Sequence, residues 1–130
     1  FNIGTALSAA GRLTEAADRF RKAVELRPDW VPALSRLAWV LAIVPSPTPR
    51  DLTDAIHLGE RAAQLTSRRD PGVLDILAAA LAADGQFDVA IATCDGALAL
   101  GPPAPLAVAV REHQALYRQK RRYVYKSETR

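Results

Sequence analysis

The sequence predicts an all-α fold assembled from one helix–turn–helix hairpin used three times. Three observations lead there. Apolar residues recur at steps of three and four along most of the chain, the spacing of one helix face. The composition is rich in Ala and Leu and thin in β-branched and aromatic residues, which favours helix over strand. The segment 70–102 also returns at a fixed offset in 1–30, with Gly11 answering Gly85, Ala16 Ala90, Phe20 Cys94, Ala23 Ala97 and Pro28 Pro102. A hairpin of about 34 residues cannot bury its own apolar face, so it needs neighbours on both sides.

In chain order, residues 1–30 make the first hairpin. Ile3, Gly4 and Leu7 belong to a shortened first helix, Gly11 makes the turn, and Ala16, Phe20 and Ala23 form the second face until Pro28 stops it. Thr14 is the expected N-cap of that second helix, with Glu15 in its first turn. Residues 31–67 make the second hairpin. Leu34, Leu37, Ala38 and Leu41 repeat the first-helix face, and Pro32 suits a first helical turn. The prolines of Pro45-Ser-Pro-Thr-Pro-Arg50 cannot continue a helix, so a long turn is expected there, with Asp51 or Thr53 capping a helix that carries Ala55 and Ala62. In the third hairpin, 70–102, Asp70 and Pro71 open a helix bearing Leu74, Leu77, Ala78 and Leu81. The run 83–86 breaks it, and Phe87, Ala90, Cys94, Ala97 and Leu98 make the partner face. A last helix is expected within 103–120, with Val108, Val110, Ala115 and Leu116 as its main apolar positions and no partner after it. It caps the open end of the stack. Residues 121–130 read as a basic, fraying tail.

At 130 residues and 14.0 kDa the chain has the length of one domain. Its 49% apolar and 24% charged residues are ordinary for a globular protein. The single cysteine, Cys94, rules out an internal disulfide and argues against a cysteine metal cluster. No apolar run is long enough to span a bilayer and no leader is evident. A chain that opens on Phe1 and has no Met reads as a piece of a longer protein. The net charge of +3 is uneven. Residues 111–130 hold seven Lys and Arg against two Glu, a local +5 that leaves the preceding 110 residues at −2.

Taken together, these residues resemble the tetratricopeptide repeat (TPR), whose signature runs W-x2-L-G-x2-Y, then A-x3-F, then P. The first copy supplies Ile3-Gly4, Leu7, Ala16-x3-Phe20 and Pro28; the last supplies Leu74, Leu77-Ala78, Leu81, Ala90-x3-Cys94 and Pro102. The middle copy supplies Leu34, Leu37-Ala38, Leu41, Ala55 and Ala62, but Gly59 stands where an aromatic is usual and no proline closes it. The resemblance is to the C-terminal part of a bacterial-type TPR array. It implies a right-handed superhelical stack of three hairpins over about 1–30, 31–67 and 70–102, plus a cap helix at 103–120. Gly4, Ala38 and Ala78 would let the helices of a hairpin approach closely, and Ala23, Ala62 and Ala97 would do so between hairpins. A helical glycine such as Gly59 needs a reason, and a bulky neighbour, Trp39 or Trp30, is the one expected here.

The resemblance also implies a function. First helices of such repeats line a concave groove that holds a peptide, and by alignment this groove would present Thr5, Ser8, Ser35, Trp39, Ile43, Asp75, Ala79, Ala82, His113 and Tyr117. The Lys, Arg and Asn set that grips a C-terminal carboxylate in the best-known subclass is missing, with only Arg36 and Asn2 nearby. Trp39 is either the anchor of this groove or a ring packed between neighbouring first helices, and the wall suits a partly apolar protein or peptide segment with one basic residue for Asp75. No phosphate loop, paired-carboxylate site or metal-ligand spacing is present, so no enzyme activity, cofactor or metal is expected. Cys94 reads as a small core residue, and His57 as a residue on a solvated face. Two other functional classes remain open. The domain can pack on its own parent enzyme or membrane protein, or the basic tail, with Tyr117, Tyr123 and Tyr125 interleaved, can touch nucleic acid or an anionic surface. Phe1, Ile3, Leu7 and Phe20 mark an uncovered end at which copies would associate end to end.

Overall fold

The computed structural model describes residues 12–45 and 47–124. Those residues form six helices and no strand, so the all-α prediction holds for them. The helices are α1 (Leu13–Leu26), α2 (Val31–Ile43), α3 (Pro49–Leu65), α4 (Pro71–Ala83), α5 (Phe87–Ala99) and α6 (Ala104–Arg118). The helix expected around Ile3–Leu7 lies outside the described residues, as do Phe1, Thr5, Ser8 and Gly11.

Helix α1 starts before its expected cap. Arg12 occupies the N-cap position, and Thr14 is already inside the helix. The earlier start brings Leu13 onto the buried stripe of Ala16, Ala17 and Phe20, and the Arg12 guanidinium pairs with Glu15 at 2.8 Å. Phe20 is 1% exposed, within a core cluster shared with Leu37 and Leu41, and so does not belong to an open end. Beyond Leu26 the chain turns through Pro28, with Arg27 lying over the Trp30 ring at 4.4 Å.

The start of α3 also precedes expectation. Thr48 is its N-cap: Thr48 Oγ1 accepts from Asp51 N–H, and Asp51 Oδ2 accepts from Thr48 N–H, both at 3.0 Å. Asp51 is thus the far half of a reciprocal cap, and Thr53 lies one turn inside, donating to Pro49 O. Pro49 stands at the first helical position, where its missing N–H removes nothing. At α4, Asp70 accepts from Gly72 and Val73 N–H as expected.

The C-terminal ends of α3, α4 and α6 share one device. In α4 the Gln86 N–H bonds to Leu81 O and Gly85 N–H to Ala82 O, with Gly85 at φ 85°. The same two bonds close α3 through Ser67 and Arg68, and α6 through Lys120 and Arg121. There the left-handed place that glycine fills most easily is held by Ser67 (φ 54°) and Lys120 (φ 58°).

Helices α2 and α4 are each buried at nine of thirteen positions, whereas α1, α3, α5 and α6 bury only a stripe. The packing explains this. Helix α2 lies against α1, α3 and α4, while α4 lies against α2, α3, α5 and α6. An inner row of α2, α4 and α6 results, an arrangement consistent with a helical repeat. At Gly59, α3 and α4 approach closely. A Cβ at Gly59 would lie 3.1 Å from Leu77 Cδ1 and 3.3 Å from Leu77 Cα. The close neighbour is therefore Leu77 with its backbone, not Trp39 or Trp30.

The buried face of α6 is only partly the expected one: Val110 is buried and Leu116 packs against the core, but the stripe turns away from the other two positions. Ala107, Val110, Gln114 and Tyr117 form it, while Val108 is 51% exposed and Ala115 faces solvent. The polar Gln114 belongs to this stripe because its amide donates to Ile91 O (3.0 Å) and Asp95 Oδ1 (2.8 Å) on α5.

Candidate functional site

The inner row walls a groove of about 450 Å³. Helix α2 contributes Pro32, Ser35, Arg36 and Trp39, all on one stripe at steps of three and four. Helix α4 contributes Gly72, Asp75 and Ile76 among others, and α6 contributes Leu106 and His113. The wall is apolar along Ile76 and Leu106, with an aromatic end at Trp39.

Of the residues expected in the groove, Ser35, Trp39, Asp75 and His113 come together on it. Ser35 Oγ donates to Val31 O at 2.8 Å, a bond that occupies its hydroxyl within the helix. Asp75 is only 6% exposed, and its two oxygens lie 3.0 and 3.1 Å from His113 Nδ1. A carboxylate only accepts, so Nδ1 carries the hydrogen, and the pair ties α4 to α6. Ile43, Ala79 and Ala82 are buried in the core. Tyr117 is fully buried; its hydroxyl has no protein partner, and burial, then the nearby Asp75 carboxylate, raises its pKa above the ordinary value. Thr5 lies outside the described residues.

Three rings meet at the Trp39 end. Trp39 and His113 have centroids 5.8 Å apart at 44°; Tyr123 stacks on Trp39 at 5.4 Å and 25° and tilts against His113 at 4.9 Å. The segment holding Tyr123 was expected to fray. Its described part, residues 121–124, docks instead: Arg122 Nη2 donates to Ala42 O at 3.1 Å and to Val44 O. Burial lowers the pKa of that guanidinium from its ordinary value. Tyr125, Lys126 and Arg130 lie outside the described residues.

Sequence reasoning missed Ile76 and Leu106, and it assigned Arg122 and Tyr123 to a free basic tail rather than to the Trp39 end of the groove. Ile76 was accessible. The apolar faces of α2 and α4 repeat at an offset of 40, Leu34 to Leu74 and Leu37 to Leu77, and the same offset carries Arg36 to Ile76 and Pro32 to Gly72. No periodicity announces the contact of Arg122 with a carbonyl 80 residues earlier.

Away from the groove, Cys94 is a buried free thiol whose pKa is pushed up to about 12, first by burial and then by the Asp75 and Asp95 carboxylates. Among the described residues no group of three or more His, Cys, Asp or Glu is placed to hold a metal ion. No described helix is long and apolar enough to cross a membrane. Compared with known proteins, the chain matches no family model and no curated sequence.

Proposed function

We propose that the chain is a tetratricopeptide-type scaffold, a superhelical stack of hairpins closed by α6 as its cap, that holds a peptide or protein segment in the groove over α2, α4 and α6. One observation carries this reading. Side chains from three successive inner helices converge on a single groove, with Trp39 at one end and Ile76 and Leu106 along the wall. Apolar relief with a few fixed polar groups and a half-buried aromatic anchor is the surface that binds a segment rather than water. A tail-mediated nucleic-acid contact has less support, because Arg122 and Tyr123 are engaged within the chain itself. The same engagement favours a second reading, in which a further segment of a longer parent chain fills the groove.

The test is selection from a displayed random-peptide library on the full chain. Peptides enriched by the wild type should bind Ile76→Glu at least about tenfold more weakly, as expected for a wall residue at an interface centre. His57→Ala, on an exposed position of α3, should bind them unchanged. Failure to enrich any peptide, or enrichment indifferent to Ile76→Glu, overturns the proposal.

A further inference from the structure

The turn after α6 aims the chain backwards. Lys120 N–H bonds to Tyr117 O at 2.9 Å and Arg121 N–H to Leu116 O at 3.0 Å, with Lys120 held at φ 58°. An L side chain is strained there, and the two backbone bonds hold the reversal as they do after α3. Arg122 donates to the carbonyls of Ala42 and Val44. The last turn of α2 has no basic residue of its own, and its carbonyls carry the negative end of the helix dipole. Arg122 supplies the missing cation from 80 residues away. Next comes Tyr123, whose ring lies on Trp39 and against His113, and both of those line the groove.

We infer that Arg122 and Tyr123 are an intramolecular occupant of the Trp39 end of the groove, and that a partner segment carrying the same pair, a cation beside an aromatic ring, displaces them. The inference rests on the groove being a peptide site. The pair is seated by chemistry that does not depend on connectivity: ring stacking on Trp39 and a guanidinium on two helix-end carbonyls. It is also held loosely enough to exchange. Tyr123 and Arg122 are only half-buried, Arg122 Nε is buried without a protein acceptor, and the Lys120 strain opposes docking. A tethered occupant competes at high effective concentration, so a partner must add contacts along Ile76 and Leu106 to win.

The experiment uses a labelled peptide of the chain's own residues 119–124, Gln-Lys-Arg-Arg-Tyr-Val, titrated into the full chain. Vacating the end by Arg122→Ala with Tyr123→Ala should tighten binding about tenfold over the wild type, because the occupied fraction of sites no longer dilutes the affinity. Trp39→Ala added to that background should abolish the gain, and a control peptide with Glu and Ala in place of the second Arg and the Tyr should not bind. If the double variant loses its helical circular dichroism, Tyr123→Ala alone is titrated and the same gain is expected. Equal affinity for wild type and vacated chain, or binding that ignores Trp39, overturns the inference. If the wild type still selects library peptides through Ile76 in that case, the groove reading stands without it; if the chain selects none, both fall.

Discussion

Gly59 shows how much a missing side chain decides. Alanine there would gain about 1 kcal/mol of helix propensity. Its methyl would also press on Leu77, and overpacking of that kind costs about 1–3 kcal/mol. Leu77 Cδ1 can rotate aside, but the Cα at 3.3 Å belongs to a helix hemmed in by four others. Gly59→Ala should therefore lower the melting temperature, by roughly 2–6 °C for a domain of this size; a rise would show that α3 and α4 can move apart. Cys94 makes a prediction of opposite character, silent at neutral pH. Its folded thiol stays protonated to about 12 from an ordinary value of 9.0. Above pH 9 the unfolded chain sheds this proton first, so the contribution of Cys94 is whole below pH 9 and drains away as pH rises toward 12. Melting curves between about pH 8 and 11 should fall more steeply for the wild type than for Cys94→Ala. Parallel slopes would mean that the thiol ionises as freely inside the fold as outside it.

At the level of elements, the caps fix where each helix begins. The Thr48–Asp51 box satisfies two backbone donors with two side chains, and Thr48→Ala should cost about 1 kcal/mol, seen as a drop of a few degrees in the melting temperature. An unchanged melting temperature would mean that water replaces the cap without loss. These starts also mark what could be read beforehand. Periodicity located every described helix, because steps of three and four survive any uncertainty at the ends. It misplaced the caps at Thr14 and at Asp51 or Thr53, because several hydroxyls and carboxylates lie within one turn and neighbouring residues choose among them. Drawing Leu13 into the core moved the first start to Arg12, and Pro49 at the first helical position made Thr48 the second. Part of the α6 face was hidden for a different reason. Its stripe includes Gln114, a polar residue that only its partners on α5 explain.

Across the whole molecule, inner and outer helices differ in how they are held, and that difference should govern how the fold opens. Aligning the repeats made Ser35, Trp39, Asp75 and His113 of the groove wall readable in the sequence, since repetition copies surface as well as core. The contact between Arg122 and the end of α2 was not, because it joins parts of the chain that no repeat relates. Helix α4 touches four others, so its amides should exchange only when most of the structure opens. Helix α6 rests mainly on α5, is held to α4 by His113 and Asp75, and is pinned to α5 by the Gln114 amide. Gln114→Ala removes both of those α5 bonds and leaves Ile91 O without its side-chain donor, a loss of about 1–3 kcal/mol. In an array whose elements stabilise only their neighbours, such a loss stays local. Native-state hydrogen exchange should therefore show the amides of 107–118 exchanging at least about fivefold faster in Gln114→Ala, with those of 74–83 little changed. Equal acceleration in both helices would show instead that α6 unfolds as one unit with α2 and α4, held to them by the Asp75–His113 pair and the docking of Arg122 on α2.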